Sequence, residues 1–351
     1  MAKRLISVGV LSKWKHNGVY NVIKEILIGC GYKYLYDNDI LSILTNEYDF
    51  ILIFQLTKKT ADKIMGLNLC LDVIVDTGLN CDDYRNPSIR SLVKNCKYFI
   101  MNVDEKNSIN VLDEDIKSLV ITYGLNNKAT VTASSLTFGN DIKFNICLQR
   151  ECTTIRGNKV EPMEYPITID LIGRLNFYNS LAAITFCLIY GISIENINDA
   201  LLNVKGISAY LEKMCYKDNI IILNDCSKNC LDYNFVFEEI QYIKFNNIYV
   251  ILAIDEEQEF YKIKSNLKVV FDWQPILNVK KLFLYLETNN ELIIRNIASL
   301  FLNQKMDYEL FSDLGKCIYS ATCLLNSGDL LLVIGDASIR NIRESLCQLI
   351  L

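Results

Sequence analysis

Three basic residues, Lys13, Lys15 and His16, crowd the segment GVLSKWKHNG from Gly9 to Gly18. An apolar run at 5–11 precedes it and a helical pattern at 19–28 follows it. Strand, loop and helix in that order place free N–H groups and the positive end of a helix dipole where an anion is favoured. The three cations therefore make a candidate anion-binding loop; a solvated basic loop is the other use of such residues. Two asparagines three apart, Asn176 and Asn179, open a long apolar helix in LIGRLNFYNSLAA. Farther on, DCSKN follows another apolar run. It offers Lys228 as a further anion-binding cation and Asp225 as a polar contact or a plain helix cap.

The thiols point to no chemistry. Of 13 cysteines the closest pairs are Cys226 with Cys230 and Cys147 with Cys152. Neither continues into a second pair with zinc spacing, and His16 is the single histidine. Free, mostly buried thiols in a reducing cytoplasm are expected. The 351 residues leave room for two or three domains, and 51% hydrophobic with 22% charged residues fits a well-buried globular chain. A net charge of −5 gives no reason to expect nucleic acid as a partner. No apolar run has the length of a membrane span, and MAKRLISVGVL reads as a first strand rather than a signal peptide. A cytoplasmic protein with no membrane partner follows.

The elements that position these residues alternate strand and helix. A continuous apolar run at 50–54 reads as a buried parallel strand, and 72–76, 98–102, 220–224, 248–254, 282–286 and 327–338 read as further strands. Residues 121–138, 142–148 and 165–169 alternate apolar and polar, as half-exposed strands do. Residues 87–94 read as a helix. The apolar helix after Asn176 runs to Tyr190, where Gly191 stops it. Ser193 can cap the next helix, which Gly206 ends.

LIGRLNFYNSLAA, ISIENINDALLNVKG and DCSKN together resemble the Mur ligase family, with its pattern G-x-[FH]-N-x-x-N-x-x-A-A. The resemblance is closest to the branch that adds the third amino acid to the UDP-muramoyl dipeptide. It implies an α/β fold in two parts: a P-loop-NTPase-like central domain at 1–207 with a small accessory antiparallel sheet, and a Rossmann-like C-terminal α/β domain at 208–351. It also implies that the family's N-terminal uridine-nucleotide domain is missing, the chain opening at the first strand of the ATPase domain. Asn176, Asn179 and Asp225, which would meet a ribose, are the nucleotide-binding candidates it suggests.

Where that family carries its chemistry, this chain departs from it. The phosphate loop G-V-T-G-T-N-G-K-T-T is replaced by GVLSKWKHNG: Trp14 would crowd a nucleotide, His16 stands for the lysine and Asn17 for the magnesium-binding hydroxyl. Gln55, in FQLTKK, stands for a magnesium-liganding glutamate. TGLNCDDY lacks a metal-ligating histidine, leaving Asp82 and Asp83. Lys94, with Lys97 as the alternative, would be the lysine that is carbamylated in the family. Ala209 and Tyr210 replace a glycine and a nucleotide-contacting arginine, and Asp336 replaces a lysine. Lys94 and Gln55 are thus vestigial catalytic candidates, and no residue is assigned a catalytic role.

Framework kept and chemistry removed points to a pseudoenzyme that binds a small anionic ligand between its domains, or a protein partner. No cofactor or metal is expected. The competing expectation is an active ATP-dependent amino-acid ligase with a rearranged loop, which would need Mg-ATP. A third is an unrelated two-domain α/β binding protein.

Overall fold

A computed structural model describes residues 3–12, 18–112, 116–204, 211–216, 219–224, 230–254, 258–288, 290–302, 304–335, 344–346 and 348. The chain divides into two units. The first comprises Met1–Thr137, Asp141–Asp170 and Arg174–Val204; the second comprises Phe138–Asn140, Leu171–Gly173 and Lys205–Leu351.

The first unit begins with strand β1 (Arg4–Leu11), helix α1 (Gly18–Gly29), and strands β2 (Lys33–Asp37), β3 (Leu41–Thr45) and β4 (Asp49–Leu56). Helix α2 (Lys58–Gly66), strand β5 (Val73–Asp76), helices α3 (Cys81–Tyr84) and α4 (Pro87–Asn95), and strand β6 (Tyr98–Asn102) follow. After β7 (Leu119–Tyr123) come β8 (Val131–Phe138), β9 (Ile142–Leu148), the short β10 (Cys152–Thr153) and β11 (Lys159–Val160), and β12 (Met163–Ile169). Helices α5 (Arg174–Tyr190) and α6 (Ile194–Leu201) close the unit.

Ten of these strands form one sheet in the order β12-β9-β8-β7-β6-β5-β1-β4-β3-β2. At its centre β1 lies parallel to β4 on one side and β5 on the other, and β6 and β7 continue the parallel block. Strands β5 and β6 are buried almost throughout, as strands covered on both faces are, whereas Phe50, Leu52 and Phe54 of β4 are half-buried. One face carries a cluster built from Ala61, Ile64, Tyr84, Ile89, Leu92, Val93 and Phe99. On the α1 side, α5 packs against α1 and is apolar around its whole circumference, as suits a helix with nearly every residue buried. Gly191, at φ +102°, ends α5, and Ser193 caps α6 by accepting a hydrogen bond from the Asn196 N–H.

Several elements differ from the sequence expectation. Residues 121–138 are not one strand: Gly124, at φ +148°, breaks them into β7 and β8. Strands β8, β9 and β12 do not stand apart as a small sheet but extend the main one, joining β7 at Tyr123 and Val131. Helix α6 ends at Leu201 rather than at Gly206. The antiparallel strands β2 and β3, which extend the sheet beyond β4, have no counterpart in the sequence reading.

The second unit holds a six-stranded sheet. Its strands are β13 (Glu212–Tyr216), β14 (Asn219–Asn224), β15 (Ile248–Ala253), β16 (Val279–Tyr285), β17 (Tyr308–Phe311) and β18 (Leu330–Gly335), in the order β13-β14-β18-β15-β16-β17. Only β13 is antiparallel to its neighbour. Helices α7 (Cys230–Ile240), α8 (Phe260–Leu277), α9 (Glu291–Leu300) and α10 (Leu314–Cys323) join the strands. Ile251, Phe283, Ile318, Leu331 and Val333 lie in one buried core cluster. Among the described residues no helix is long and apolar enough to cross a membrane.

Candidate functional site

Chain order reverses at β1: the chain leaves it for β4 on one side and then crosses to β5 on the other. In open α/β sheets, ligands bind outside the carboxyl ends of the strands at such a point. The rim here is made by the ends of β1, β4, β5, β6 and β7 together with the heads of α1 and α5.

Asn176 and Asn179 are both buried at the head of α5, and the Asn179 Nδ2 donates to the Asn176 Oδ1 at 3.4 Å. Gly18, the first residue of α1, lies directly against Asn179. A β-carbon added there would fall 2.0 Å from the Asn179 Nδ2, so any larger residue would force the asparagine to shift. The pair thus reaches the start of the helix that follows the basic loop. Lys13, Lys15, His16, Asp225 and Lys228 lie outside the described residues.

Gln55 is the penultimate residue of β4, next to Val10 of β1, and its side chain is half-buried. Three residues on, the Lys58 Nζ pairs with the Asp83 Oδ1 at 2.9 Å. That bond and the Asp83 charge hold the lysine above its usual range. Asp82 is exposed beside Arg85. Lys94 is not brought to Gln55. It lies in the last turn of α4, its carbonyl accepting from the Lys117 N–H where the chain turns into β7, at the end of the sheet where strands begin. Lys97, at the same end, pairs with Asp72 at 2.7 Å. Among the described residues no three His, Cys, Asp or Glu side chains converge to hold a metal ion.

Sequence reasoning missed a buried acid on the rim. Asp76 ends β5 and is fully buried, with both carboxyl oxygens 2.8 Å from the Tyr84 hydroxyl that donates to them. The Gly78 N–H donates to Oδ1 at 3.1 Å. The Tyr84 hydroxyl in turn accepts from the Leu79 N–H and meets the Ser108 hydroxyl, each at 3.0 Å. Burial lifts the Asp76 carboxyl to about 6, against the hydrogen bonds of Ser108, Tyr84 and Gly78. The available signal was a single acid closing the otherwise apolar VIVD.

A second acid, Asp104, joins three elements. It accepts from the N–H groups of Leu125 and Asn126, fixing the turn after β7, and from the Tyr178 hydroxyl on α5 at 2.9 Å. Burial, the bond to Asp104 and the Asp104 charge raise the Tyr178 hydroxyl. Arg90 on α4 also serves the rim, donating from Nε to the Tyr84 carbonyl at 3.0 Å. Asp104 and Arg90 are therefore positioning groups rather than open ligands.

Comparison with known proteins places this geometry. The Mur ligase middle domain matches residues 84–187, a stretch that contains Tyr84, Asp104, Asn176 and Asn179. That stretch resembles the Mur ligase middle domain. The chain is 31% identical over 130 residues to the UDP-N-acetylmuramoyl-L-alanyl-D-glutamate--2,6-diaminopimelate ligase 1 of Clostridium acetobutylicum, covering 37% of this chain and 24% of that one. It is 32% identical over 113 residues to the UDP-N-acetylmuramate--L-alanine ligase of Vesicomyosocius okutanii, covering 32% and 22%. The matched stretch thus spans about a quarter of these curated Mur ligases' length. The fold is shared more widely. A solved UDP-N-acetylmuramoyl-L-alanyl-D-glutamate--2,6-diaminopimelate ligase superposes with a TM-score of 0.70 at 12% identity, covering 95% of this chain and 73% of that one.

Proposed function

We propose that this Mur-ligase-like chain has lost ATP-dependent amide ligation and acts by binding, either to a small anionic ligand or to a protein partner in cell-wall precursor metabolism. The observation that carries this reading is the Lys58–Asp83 pair at 2.9 Å, three residues beyond Gln55. Mg²⁺ takes hard oxygen ligands, usually one or two carboxylates. At this strand end Gln55 offers a neutral amide, and the Asp83 carboxylate is already matched by an ammonium. These groups do not fit a divalent cation, and no step through one is derived. The basic loop supports an anionic target, because Lys13, Lys15 and His16 precede the head of α1.

The magnitude supports this reading. Phosphoryl transfer depends almost wholly on positioning and charge stabilisation. Losing two contacts worth roughly 3 kcal/mol each would leave about 10⁻⁴ of the rate. A second reading, an active amino-acid ligase with a rearranged nucleotide loop, is favoured by one observation: the asparagine pair still stands against the head of α1. A turnover assay separates the two. The purified chain is given Mg-ATP, a UDP-muramoyl dipeptide and a diamino acid, and ADP release is followed. Release no faster than the no-enzyme control is expected; amide product formed with ADP would establish the second reading.

A further inference from the structure

Strand β2 ends the ten-stranded sheet, and among the described residues no strand pairs with its outer side. All five of its residues are exposed, with Tyr34 at 40%, Leu35 at 59% and Tyr36 at 48%. Ile40, just beyond it, is exposed at 51%. An exposed apolar edge is a template for another strand, and proteins usually blunt it. Here the blunting is partial. A bulge at Leu35 interrupts the register with β3, and the strand carries a charge at each end.

The sequence of the edge is self-complementary. It reads Lys33-Tyr34-Leu35-Tyr36-Asp37. Pairing two copies antiparallel about Leu35 sets Lys33 opposite Asp37 twice, Tyr34 opposite Tyr36 twice, and Leu35 opposite itself. Opposite charges and aromatic pairs facing each other across antiparallel strands are stabilising, and like charges there are destabilising. A parallel pairing in register would set Lys33 on Lys33 and Asp37 on Asp37. The edge therefore selects both the partner and its direction, as a two-fold symmetric interface does. The strand is also held rigidly from behind. The Lys24 Nζ donates to Asp37 at 2.9 Å, the Ser42 hydroxyl donates to the same carboxylate, and the Asn38 amide donates to the Tyr36 hydroxyl at 2.7 Å. A pre-ordered edge loses less entropy on pairing.

We propose that β2 is a homodimer interface in which a second copy of this chain adds its own β2 antiparallel, continuing the sheet across both molecules. Sedimentation equilibrium of the full chain at micromolar concentration tests it, with two variants. The parent chain is expected to be a dimer. Lys33→Glu, at an exposed site, sets an acid opposite Asp37 at each end of the pairing, so it weakens the dimer by about 10-fold. Leu35→Lys, at an exposed site, gives a monomer with an unchanged circular dichroism spectrum and thermal midpoint, which separates lost pairing from lost folding. A parent chain that stays monomeric, or a dimer indifferent to both Lys33→Glu and Leu35→Lys, overturns the proposal and leaves the edge to a different occupant.

Discussion

Gly18 at the start of α1 and Asn179 near the start of α5 are in contact so close that a β-carbon on residue 18 would lie 2.0 Å from the asparagine Nδ2 and 2.6 Å from its Cγ. The asparagine cannot yield freely, because it is buried and bonded to Asn176. Gly18→Ala is therefore expected to lower stability by about 1–3 kcal/mol. In an Asn179→Ala background the same change should cost clearly less, since the two sites share one contact. Urea denaturation of the four chains measures the coupling; purely additive effects would mean that the helix head shifts without resistance.

Asp76 should make stability fall as pH rises across the mildly acidic range. Its carboxyl goes from an ordinary 3.8 to about 6 on burial. The folded chain thus holds that proton more tightly than the unfolded chain does. The contribution is complete below about pH 4 and is lost as pH rises through about 6, to the extent of ~3 kcal/mol. Asp76→Asn keeps the acceptor for Tyr84 and Gly78 and removes the titration. Thermal midpoints of the variant should be flatter than the parent's between those values, and higher than the parent's at neutral pH.

Asp49 has the opposite dependence. Its buried carboxylate accepts from the Tyr190 hydroxyl at 2.6 Å, from Arg156 at 2.7 Å and from Arg4 at 3.1 and 3.2 Å. Burial alone would raise this acid; those hydrogen bonds and the two arginine charges outweigh it and hold the carboxyl below its usual range. Its stabilisation is present above about pH 4 and is lost as pH falls through the lowered value. Asp49→Ala leaves the Tyr190 hydroxyl and two guanidinium groups without this acceptor. A loss of about 2–4 kcal/mol at neutral pH is expected by chemical denaturation, discounted for the partial exposure of both arginines.

If the basic loop holds an anion, replacing Lys13 and Lys15 together with alanine should weaken pyrophosphate binding several-fold and reduce its salt dependence, because fewer screened charges then contribute. Equal affinities and equal salt slopes for the parent and the double variant would remove the loop from the site.

Much of this architecture is readable in one sequence, for identifiable reasons. The strands buried on both faces are unbroken apolar runs, as at Leu330 to Ile334, and helix ends are marked by single residues such as Gly191 and Ser193. Strand β2 is hidden because KYLYD exposes every side chain and its bulge breaks the alternation that reveals a half-buried strand. The break between β7 and β8 depends on Asp104, some twenty residues earlier in the chain, accepting the N–H groups of Leu125 and Asn126. At the site, Asn176 and Asn179 were legible as a spaced pair on one helix. Their contact with Gly18, the Lys58–Asp83 pair and the Asp76–Tyr84 bond join residues whose proximity only the folded sheet creates. Lys94 looked equivalent to a site lysine by its helix alone, and the direction of α4 carries it to the other end of the strands.

The central claim is that the rim no longer serves Mg-ATP. Isothermal titration calorimetry of the purified chain with ATP, run with and without Mg²⁺, tests it most directly. Either no binding, or weak binding that is indifferent to the metal and weakens with salt, is expected. Tight binding that requires Mg²⁺ would contradict it, and would mean that the groups around Gln55 and Asp83 have been rebuilt into a working nucleotide site.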